Sequence, residues 1–390
     1  MMAKLKKILV VGASIAGPAV CYWLKRFGFS PTIIEIHPSI RKGGFAIDIR
    51  GIAIDVIKKM EVYKNICDKR TTINIGLYVD AQGNVLHEEQ GELYGFREGE
   101  DIEIVRGHLV EILMQTISEI PCYFNQQIKQ LVQHDDFVEL VFKDGKKEKF
   151  DIVIGADGLH SSIRGMAFNN EEYSLKHLGA YISVFGIPNY LNLNRTDVAY
   201  EAHQKKIHIS SDDDPNFAQA GLMFRSNHSL KDIRNEREQK NFLKMTFLDM
   251  GWESNQLLQL MDTTKDFYFD SITQVKMKSW TNGRVALVGD AGYCASPLSG
   301  QGTSLALVGA YILAGELNNA GENYKKAFSN YNKQLRPFVD QNQSLGEWAS
   351  NTYLVADESS KEIVAKRTAE VLHRLKIAAN AIVLPEYKMV

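Results

Sequence analysis

The 390-residue sequence is poor in the residues that build metal sites and disulfide frameworks. Its four cysteines, at Cys21, Cys67, Cys122 and Cys294, are far apart and form no CxxC pair. This spacing excludes a zinc ribbon and a disulfide scaffold and is typical of a reducing cytoplasm. The ten histidines form no HExxH motif. We therefore expect an intracellular protein without a metal site.

An excess of charge of one sign and long apolar runs are also missing. The 45 Lys and Arg residues nearly balance the 47 Asp and Glu residues, and no basic stripe is present, which argues against a nucleic-acid partner. No apolar run approaches the roughly 18 residues that span a bilayer. The apolar run near the N-terminus is too short for a signal-peptide core. We expect a cytoplasmic protein that binds no membrane.

What is present is ordinary globular composition. The chain is 45% hydrophobic and 24% charged, and it contains only nine prolines. Such a chain can bury a sizeable core without long disordered tracts. At roughly 150 residues per domain, its length predicts two or three domains.

The first fifty residues predict a dinucleotide-binding βαβ unit. A β-branched run, Ile8 to Val11, precedes the glycine turn Gly12-Ala13-Ser14-Ile15-Ala16-Gly17, a helix and a second strand that ends at Glu35. Gly12 permits the tight turn, and Gly17 permits close packing of the helix on the strand. Backbone N–H groups at the helix start then bind a pyrophosphate, while Glu35 accepts hydrogen bonds from ribose hydroxyls.

Two alternatives stay open for this segment. Ser14 stands where the usual motif has glycine, so the turn is also compatible with an ordinary strand-turn-helix that has no ligand. The same residues approximate the nucleophile elbow of a hydrolase, but that elbow follows several strands whereas this turn follows the first.

Two later loops also follow buried strands and carry polar and glycine residues. The first is Gly155-Ala156-Asp157-Gly158, which continues to Arg164. The second runs from Gly289-Asp290 through Pro297 to Gly302 and opens a helix. Asp290 can accept from polyol hydroxyls, and the bare N–H groups of 297–302 suit an anionic or electron-rich ring edge. Each loop alone is also compatible with a helix cap that binds nothing.

The three loops together identify a resemblance that covers about the whole chain. The order GxGxxG, DG and GD ending in PxxGxG resembles the single-component FAD-dependent aromatic-hydroxylase-type monooxygenases. Within them the chain is most similar to the tetracycline destructases of the soil type, through Gly43 to Gly51, Phe224-Arg225 and the segment 280–302.

The resemblance implies a fold, a set of domains and a set of ligand contacts. The fold is α/β, with a Rossmann-like FAD-binding domain of the glutathione-reductase type (1–70, 101–170 and 279–320). A β-sheet substrate domain (71–100 and 171–278) is inserted, and a C-terminal helical region (321–390) carries a capping helix over 359–383 with apolar positions from Ile363 to Ala379. The implied cofactor contacts are Gly12, Ser14, Ala16 and Gly17 for the pyrophosphate, Glu35 for the ribose, Arg41 or Lys42 and Asp48 near the flavin, Arg106 from its helix, Asp157 in the DG loop, Gly289 and Asp290 for the ribityl chain, and Pro297, Gly300, Gln301 and Gly302 along the isoalloxazine. The substrate-pocket candidates are Phe224, Arg225, Pro297 and Gly300.

The implied activity is oxidation and inactivation of tetracyclines with NADPH or NADH and O2, through a flavin C4a-hydroperoxide. No catalytic side chain beyond the flavin is required, and the absence of a triad or a carboxylate pair agrees with this. We expect a monomer. Two other functions remain open: hydroxylation of a phenolic or other aromatic metabolite on the same fold, and a non-enzymatic nucleotide-binding regulator. For Phe224 and Arg225, core packing and a surface cation are the alternatives to substrate contact.

Overall fold

The computed structural model describes residues 7–40, 44–226, 235–352 and 361–389, without the side chains of 92–94, 361–365 and 367. The strands are β1 (Lys7–Val11), β2 (Ser30–Ile34), β3 (Ala46–Ile49), β4 (Ile75–Val79), β5 (Val85–Gln90), β6 (Ile102–Val105), β7 (Cys122–Tyr123), β8 (Ile128–Gln133), β9 (Val138–Phe142), β10 (Lys147–Phe150), β11 (Ile152–Gly155), β12 (Tyr173–Pro188), β13 (Thr196–Ala202), β14 (Lys205–Ser211), β15 (Phe217–Arg225), β16 (Tyr268–Met277), β17 (Thr281–Asn282) and β18 (Val285–Leu287). The helices are α1 (Ala16–Arg26), α2 (Ile52–Lys59), α3 (Tyr63–Cys67), α4 (Arg106–Thr116), α5 (Ser162–Ala167), α6 (Glu236–Phe247), α7 (Ser254–Thr263), α8 (Asp290–Tyr293), α9 (Gly302–Ala320), α10 (Tyr324–Thr352) and α11 (Lys361–Ala379), with 3-10 turns at Gly91–Phe96 and Pro297–Ser299.

A six-stranded sheet in the order β17-β18-β11-β1-β2-β7 forms the centre of the first core. Apart from the edge strand β17, its neighbours are parallel. Strands β1 and β11 are almost entirely buried, which explains their continuous β-branched runs, because helices cover both faces of such sheets. The predicted α/β fold is confirmed in this sheet.

A seven-stranded sheet in the order β16-β12-β15-β14-β13-β4-β5 forms one side of the second hydrophobic core. Its strands come from 75–90 and 173–277, close to the predicted limits of a substrate domain, although those limits stay a prediction. Helices α6 and α7 pack on one face through side chains such as Leu243 and Phe247. Sequence analysis did not predict these two helices, because α6 buries only a narrow stripe and is otherwise charged.

Two smaller sheets join these layers. Strands β8, β9 and β10 form an antiparallel sheet, in which the turn at residues 143–145 joins β9 to β10. Strand β3 pairs antiparallel with β6, so Asp48 lies opposite Glu103. Strand β6 leads directly into α4, which places Arg106 at the first position of that helix.

From Gly302 onward the described residues are mainly helical, in α9, α10 and α11. Helix α9 is buried over most of its length and packs on α1 and α10. Helix α11 lies within the predicted helix of 359–383 and ends at Ala379. Its residues Val371, Ala378 and Ala379 are buried. The side chains of Ile363 and Val364, which the prediction placed in the same stripe, lie outside the described residues.

Candidate functional site

The three loops singled out in the sequence converge at one edge of the six-stranded sheet. Strands β1, β11 and β18 are parallel neighbours, so their carboxyl ends meet at the same edge. The glycine turn follows β1, the Gly155–Arg164 loop follows β11, and the Gly289–Gly302 loop follows β18. This edge is where open α/β sheets bind ligands.

The glycine turn has the backbone that close packing requires. Gly12 has φ of +106°, and a Cβ there would lie 2.5 Å from the carbonyl oxygen of Ala156. A Cβ on Gly17 would overlap the carbonyl oxygen of Gly12. Helix α1 begins at Ala16 without a side-chain cap, so its first N–H groups are available to an anionic ligand.

Glu35 stands beside this turn, directly after β2. Its Oε2 accepts a hydrogen bond from the backbone N–H of Ala13 at 2.8 Å, and its Oε1 accepts one from the N–H of His37 at 3.0 Å. These contacts fix the carboxylate at the turn. A carboxylate has about four acceptor sites, so it retains capacity for ribose hydroxyls.

Ser14 contacts a residue that the sequence assigned separately. The Arg106 guanidinium, at the start of α4, donates to Ser14 Oγ with an N–O distance of 2.7 Å. A Cβ on Gly44 would lie 3.5 Å from the Cβ of Arg106, so the chain entering β3 passes close to the same side chain. The serine that departs from the usual glycine therefore holds Arg106 at the turn. Arg41 and Lys42 lie outside the described residues.

Asp157 organises the second loop. Its carboxylate accepts hydrogen bonds from the hydroxyl groups of Ser161 and Ser162 and from the N–H groups of Ser162 and Ile163 at 2.7 and 3.1 Å. It thereby stabilises the start of α5. Arg164, to which the sequence gave no role, is buried and donates to the carbonyl oxygen of Ala291 at 2.8 Å, which ties this loop to the third.

Asp290 lies on the wall of a concave space. Its side chain is exposed, yet surrounding protein desolvates the carboxyl group and raises its pKa. A solvent-exposed group with protein around it is expected in a cleft. The cleft adjoins the first loop, because a Cβ on Gly289 would lie 3.1 Å from the Cβ of Ala16.

The 297–302 segment presents unsatisfied polar groups. Gly300 adopts a left-handed conformation with φ of +61°, and α9 begins at Gly302 without a side-chain cap. Gln301 is fully buried, and neither its Nε2 nor its Oε1 has a hydrogen-bond partner among the described residues. Buried polar groups normally have hydrogen-bond partners, so this amide is an exception within the segment.

Asp48 approaches the same segment from β3. A Cβ on Gly300 would lie 3.9 Å from Asp48 Oδ2, while Asp48 Oδ1 is 3.0 Å from an Arg50 nitrogen. Burial raises the pKa of Asp48, and the charge of Arg50 opposes that effect. Arg50 also pairs with Asp101 at 3.2 Å. The sequence alone does not pair Arg50 with Asp101, because the two residues lie 51 positions apart.

These features fit a bound flavin dinucleotide. The turn at Gly12 offers bare N–H groups to a pyrophosphate, Glu35 and Asp290 offer acceptors to hydroxyls at separate points of the cleft, and the uncapped start of α9 at Gly302 offers N–H groups to a ring edge. Among the described residues there is no cluster of three or more His, Cys, Asp or Glu side chains that could hold a metal. No described helix is long and apolar enough to cross a bilayer.

The two substrate-pocket candidates on β15 have different surroundings. Phe224 is 1% exposed and stacks on Tyr181 at a ring distance of 5.4 Å, within the core under α6 and α7. This position supports core packing for Phe224. Arg225 points to the other face, where its guanidinium donates to the carbonyl oxygen of Ser350 at 2.7 Å and joins the sheet to the end of α10.

A histidine–aspartate pair, which the sequence alone did not indicate, joins the second loop to the large sheet. His160 Nε2 lies 3.0 Å from Asp270 Oδ2 on β16, and this hydrogen bond raises the pKa of His160. Tyr268 lies on the same strand and contacts the Phe45 ring at 5.6 Å. The large sheet is thereby attached beside the cleft.

Comparison with known proteins agrees with this geometry. Residues 6–344 match the family described as FAD binding domain. The chain is 58% identical to a flavin-dependent monooxygenase of Legionella longbeachae serogroup 1 (strain NSW150), over 99% of this chain and 100% of the relative.

Two solved structures are similar over almost the full length. The crystal structure of tetracycline destructase Tet(51) is 55% identical, with a TM-score of 0.92, and the match covers 98% of this chain and 100% of that chain. The crystal structure of tetracycline destructase Tet(55) is also 55% identical, with a TM-score of 0.93, over 99% and 100%.

Proposed function

We propose that this chain, which belongs to the FAD-binding-domain family and is an FAD-dependent monooxygenase, oxidises and inactivates tetracycline antibiotics. The observation that carries the substrate assignment is the full-length similarity, at 55% identity, to two structures called tetracycline destructases. NADPH or NADH is the reductant and O2 the oxidant. We further propose that the protein acts as a cytoplasmic monomer.

When bound, FAD would supply the redox chemistry, namely oxidation of the nicotinamide and transfer of one oxygen atom from O2 to the substrate. The polypeptide binds, orients and shields. The first N–H groups of α1 hold the pyrophosphate, Glu35 holds the ribose, and Asp290 holds the ribityl hydroxyls. The segment 297–302 and Asp48 border the ring system.

The chain's second task is to exclude water from the reacting centre, because bulk water favours side reactions. The open face of the large sheet covers the cleft from one side, where Ile182, Met223 and Leu298 of the third loop pack on one buried cluster. Helix α11 covers it from another side, since a Cβ on Gly300 would lie 4.0 Å from Leu375 Cδ2. No nucleophilic side chain is needed, because the electron-rich enol system of tetracycline is itself the nucleophile.

The test uses purified protein with bound FAD, NADPH and air-saturated buffer. Tetracycline should stimulate NADPH oxidation and O2 consumption, the product should gain the mass of one oxygen atom, and the treated drug should lose activity against a sensitive bacterium. A chelator should leave the rate unchanged. The proposal fails if flavin-loaded protein oxidises NADPH no faster with any tetracycline than without one.

A panel of simple phenols run in parallel distinguishes the alternative substrate class. Stimulation and oxygen insertion with a phenol but with no tetracycline would replace the substrate assignment and keep the enzyme class.

A further inference from the structure

The open face of the seven-stranded sheet carries a line of side chains that crosses four strands. The strand register places Tyr268 opposite Val184, Val184 opposite Gly221, and Gly221 opposite His208. Because side chains alternate along each strand, these four residues share the face opposite the one that packs on α6 and α7. His208 therefore belongs to the face that covers the cleft.

Contacts at two points attach this face beside the cleft. Gln219, on the same face of β15, donates through Nε2 to the carbonyl oxygen of Gly44 at 3.1 Å. Further along the same strand, Met223 packs on the buried cluster of Leu178, Ala180 and Ile272, and Leu298 of the third loop packs on the same cluster. Gly221 lies midway between these two contacts, so the sheet surface at Gly221 faces the covered space.

His208 projects across Gly221 toward this space. A Cβ at position 221 would overlap the Nε2 end of the imidazole, so only glycine permits this orientation. The ring's Nδ1 lies 3.2 Å from Asp197 Oδ1 on the neighbouring strand β13. The imidazole side chain is 31% exposed, so a ligand can reach it.

The pair has the arrangement of an oriented base. When Nδ1 donates its proton to the Asp197 carboxylate, the neutral imidazole presents the lone pair of Nε2 at the opposite end. That end lies over Gly221. The carboxylate fixes the tautomer and stabilises the imidazolium that forms if Nε2 takes up a proton.

We propose that His208, oriented by Asp197, contacts the substrate and accepts the proton of an acidic enol or phenol hydroxyl group. This deepens the function proposed above and rests on it. The substrate O–H bond breaks, an N–H bond forms at Nε2, and the electron pair stays on the substrate oxygen. No redox change occurs in this step. The resulting enolate or phenolate is richer in electrons at its ring carbons, which favours attack on an electrophilic oxygen.

The chain offers a matched control in His87. It lies on the same face, in line with His208, but three strands away on edge strand β5, where it stacks on Tyr78 at 5.8 Å. Its Nε2 also has a carboxylate neighbour, Glu89, at 3.7 Å. His87→Gln therefore makes the same chemical change beside an acid without reaching the covered space.

The experiment compares His208→Gln, Asp197→Asn and His87→Gln with the parent protein. Measured are flavin content, thermal melting, the KM for NADPH, kcat and KM for tetracycline, and the absorbance change of tetracycline when it binds and ionises. His208→Gln should raise the KM for tetracycline about tenfold or more, because the hydrogen bond between the imidazolium and the ionised substrate is lost. It should also abolish the ionisation signal, because glutamine cannot accept the proton. Asp197→Asn should weaken the ionisation signal, and His87→Gln should change nothing.

Equal KM values and equal ionisation signals for His208→Gln and His87→Gln would overturn the proposal. If His208→Gln does not fold, Asp197→Asn decides, since a retained full signal there contradicts an oriented base. Failure of the parent protein to oxidise any tetracycline concerns the proposed function alone. The same three variants are then compared on the phenol that the panel identifies, and an unchanged KM for it counts against His208.

Discussion

The charged form of Asp290, the residue proposed to hold the ribityl hydroxyls, is disfavoured in the FAD-free protein. Surrounding protein raises the pKa of its carboxyl group, which means that the charged form is less stable in the folded chain than in the unfolded chain. A carboxyl group with a raised pKa contributes fully to the free energy of unfolding only below the pKa of the unfolded chain, about 3.9. This contribution is lost as pH rises through the pKa of the folded chain. At neutral pH, ionised Asp290 therefore destabilises the FAD-free protein.

This predicts opposite effects of Asp290→Asn on stability and on cofactor binding. The FAD-free variant should melt at a higher temperature than the FAD-free parent at pH 7, because no charge forms at a position that surrounding protein desolvates. The difference should vanish near pH 3.5, where both chains are neutral at this position. Flavin occupancy after dialysis, read from absorbance near 450 nm, a property of the cofactor, should fall.

Glu35→Gln is the matched comparison for this prediction. Glu35 accepts hydrogen bonds from two backbone N–H groups in the folded chain, so its substitution should lower flavin occupancy without raising the melting temperature. Full flavin occupancy in both variants would show that neither carboxylate binds the cofactor.

At the scale of elements, helix α11 is fixed at its C-terminal end to the flavin-binding region. A Cβ on Gly51 would lie 2.6 Å from the carbonyl oxygen of Ala379, and Asn342 of α10 donates to the carbonyl oxygen of Ala378 at 3.0 Å. Lys376 also pairs with Glu98 at 3.5 Å. This anchoring aims the Leu375 side chain at Gly300.

A pair of substitutions on α11 tests whether the helix shapes the substrate site. Leu375→Ala removes the contact above Gly300 and should raise the KM for tetracycline or divert NADPH oxidation into hydrogen peroxide, with flavin content unchanged. Ile377 lies two residues further along the helix and is 44% exposed, so Ile377→Ala should have neither effect. The readouts are peroxide formed per NADPH and the tetracycline KM. Identical values for the two variants would leave α11 a purely structural element.

At the scale of the whole molecule, the last residues fasten the C-terminal region to the first core. The Tyr387 ring lies against Gly315 of α9, where a Cβ would overlap it, and its hydroxyl donates to Glu316 at 2.9 Å. Tyr311 donates to the carbonyl oxygen of Pro385 at 2.8 Å. Truncating the chain before residue 359 would remove this buried ring with α11, so point variants test α11 better than truncation does.

Two substitutions at Tyr387 should lower the free energy of unfolding by different amounts. Tyr387→Phe removes one hydrogen bond, while Glu316 keeps donors from Asn330 and Gln334, so the free energy of unfolding should fall by about 1 kcal/mol. Tyr387→Ala also empties a packed aromatic site and should cost about 3–5 kcal/mol. Calorimetry of flavin-loaded protein measures both. An alanine variant as stable as the parent would contradict the fastening role.

The sequence determined the parts of this protein that are local. A β-branched run, a glycine turn and a helix within thirty residues predicted β1 and α1, and the same pattern predicted the strands before the second and third loops. Glycine positions were readable because a positive φ, as at Gly12 and Gly300, is a property of single residues. The order of the three loops then indicated the family and its cofactor.

Only the tertiary structure decided which distant residues meet. Ser14 lies 92 positions from Arg106, and Arg50 lies 51 positions from Asp101, so no spacing rule pairs them. Strand register likewise decided that Phe224 is buried in a core while Arg225 reaches α10, because a shift of one residue reverses every side chain of a strand. The sequence carries the chemistry of each group, whereas register and packing set its distance to a partner, and interaction energies depend on that distance.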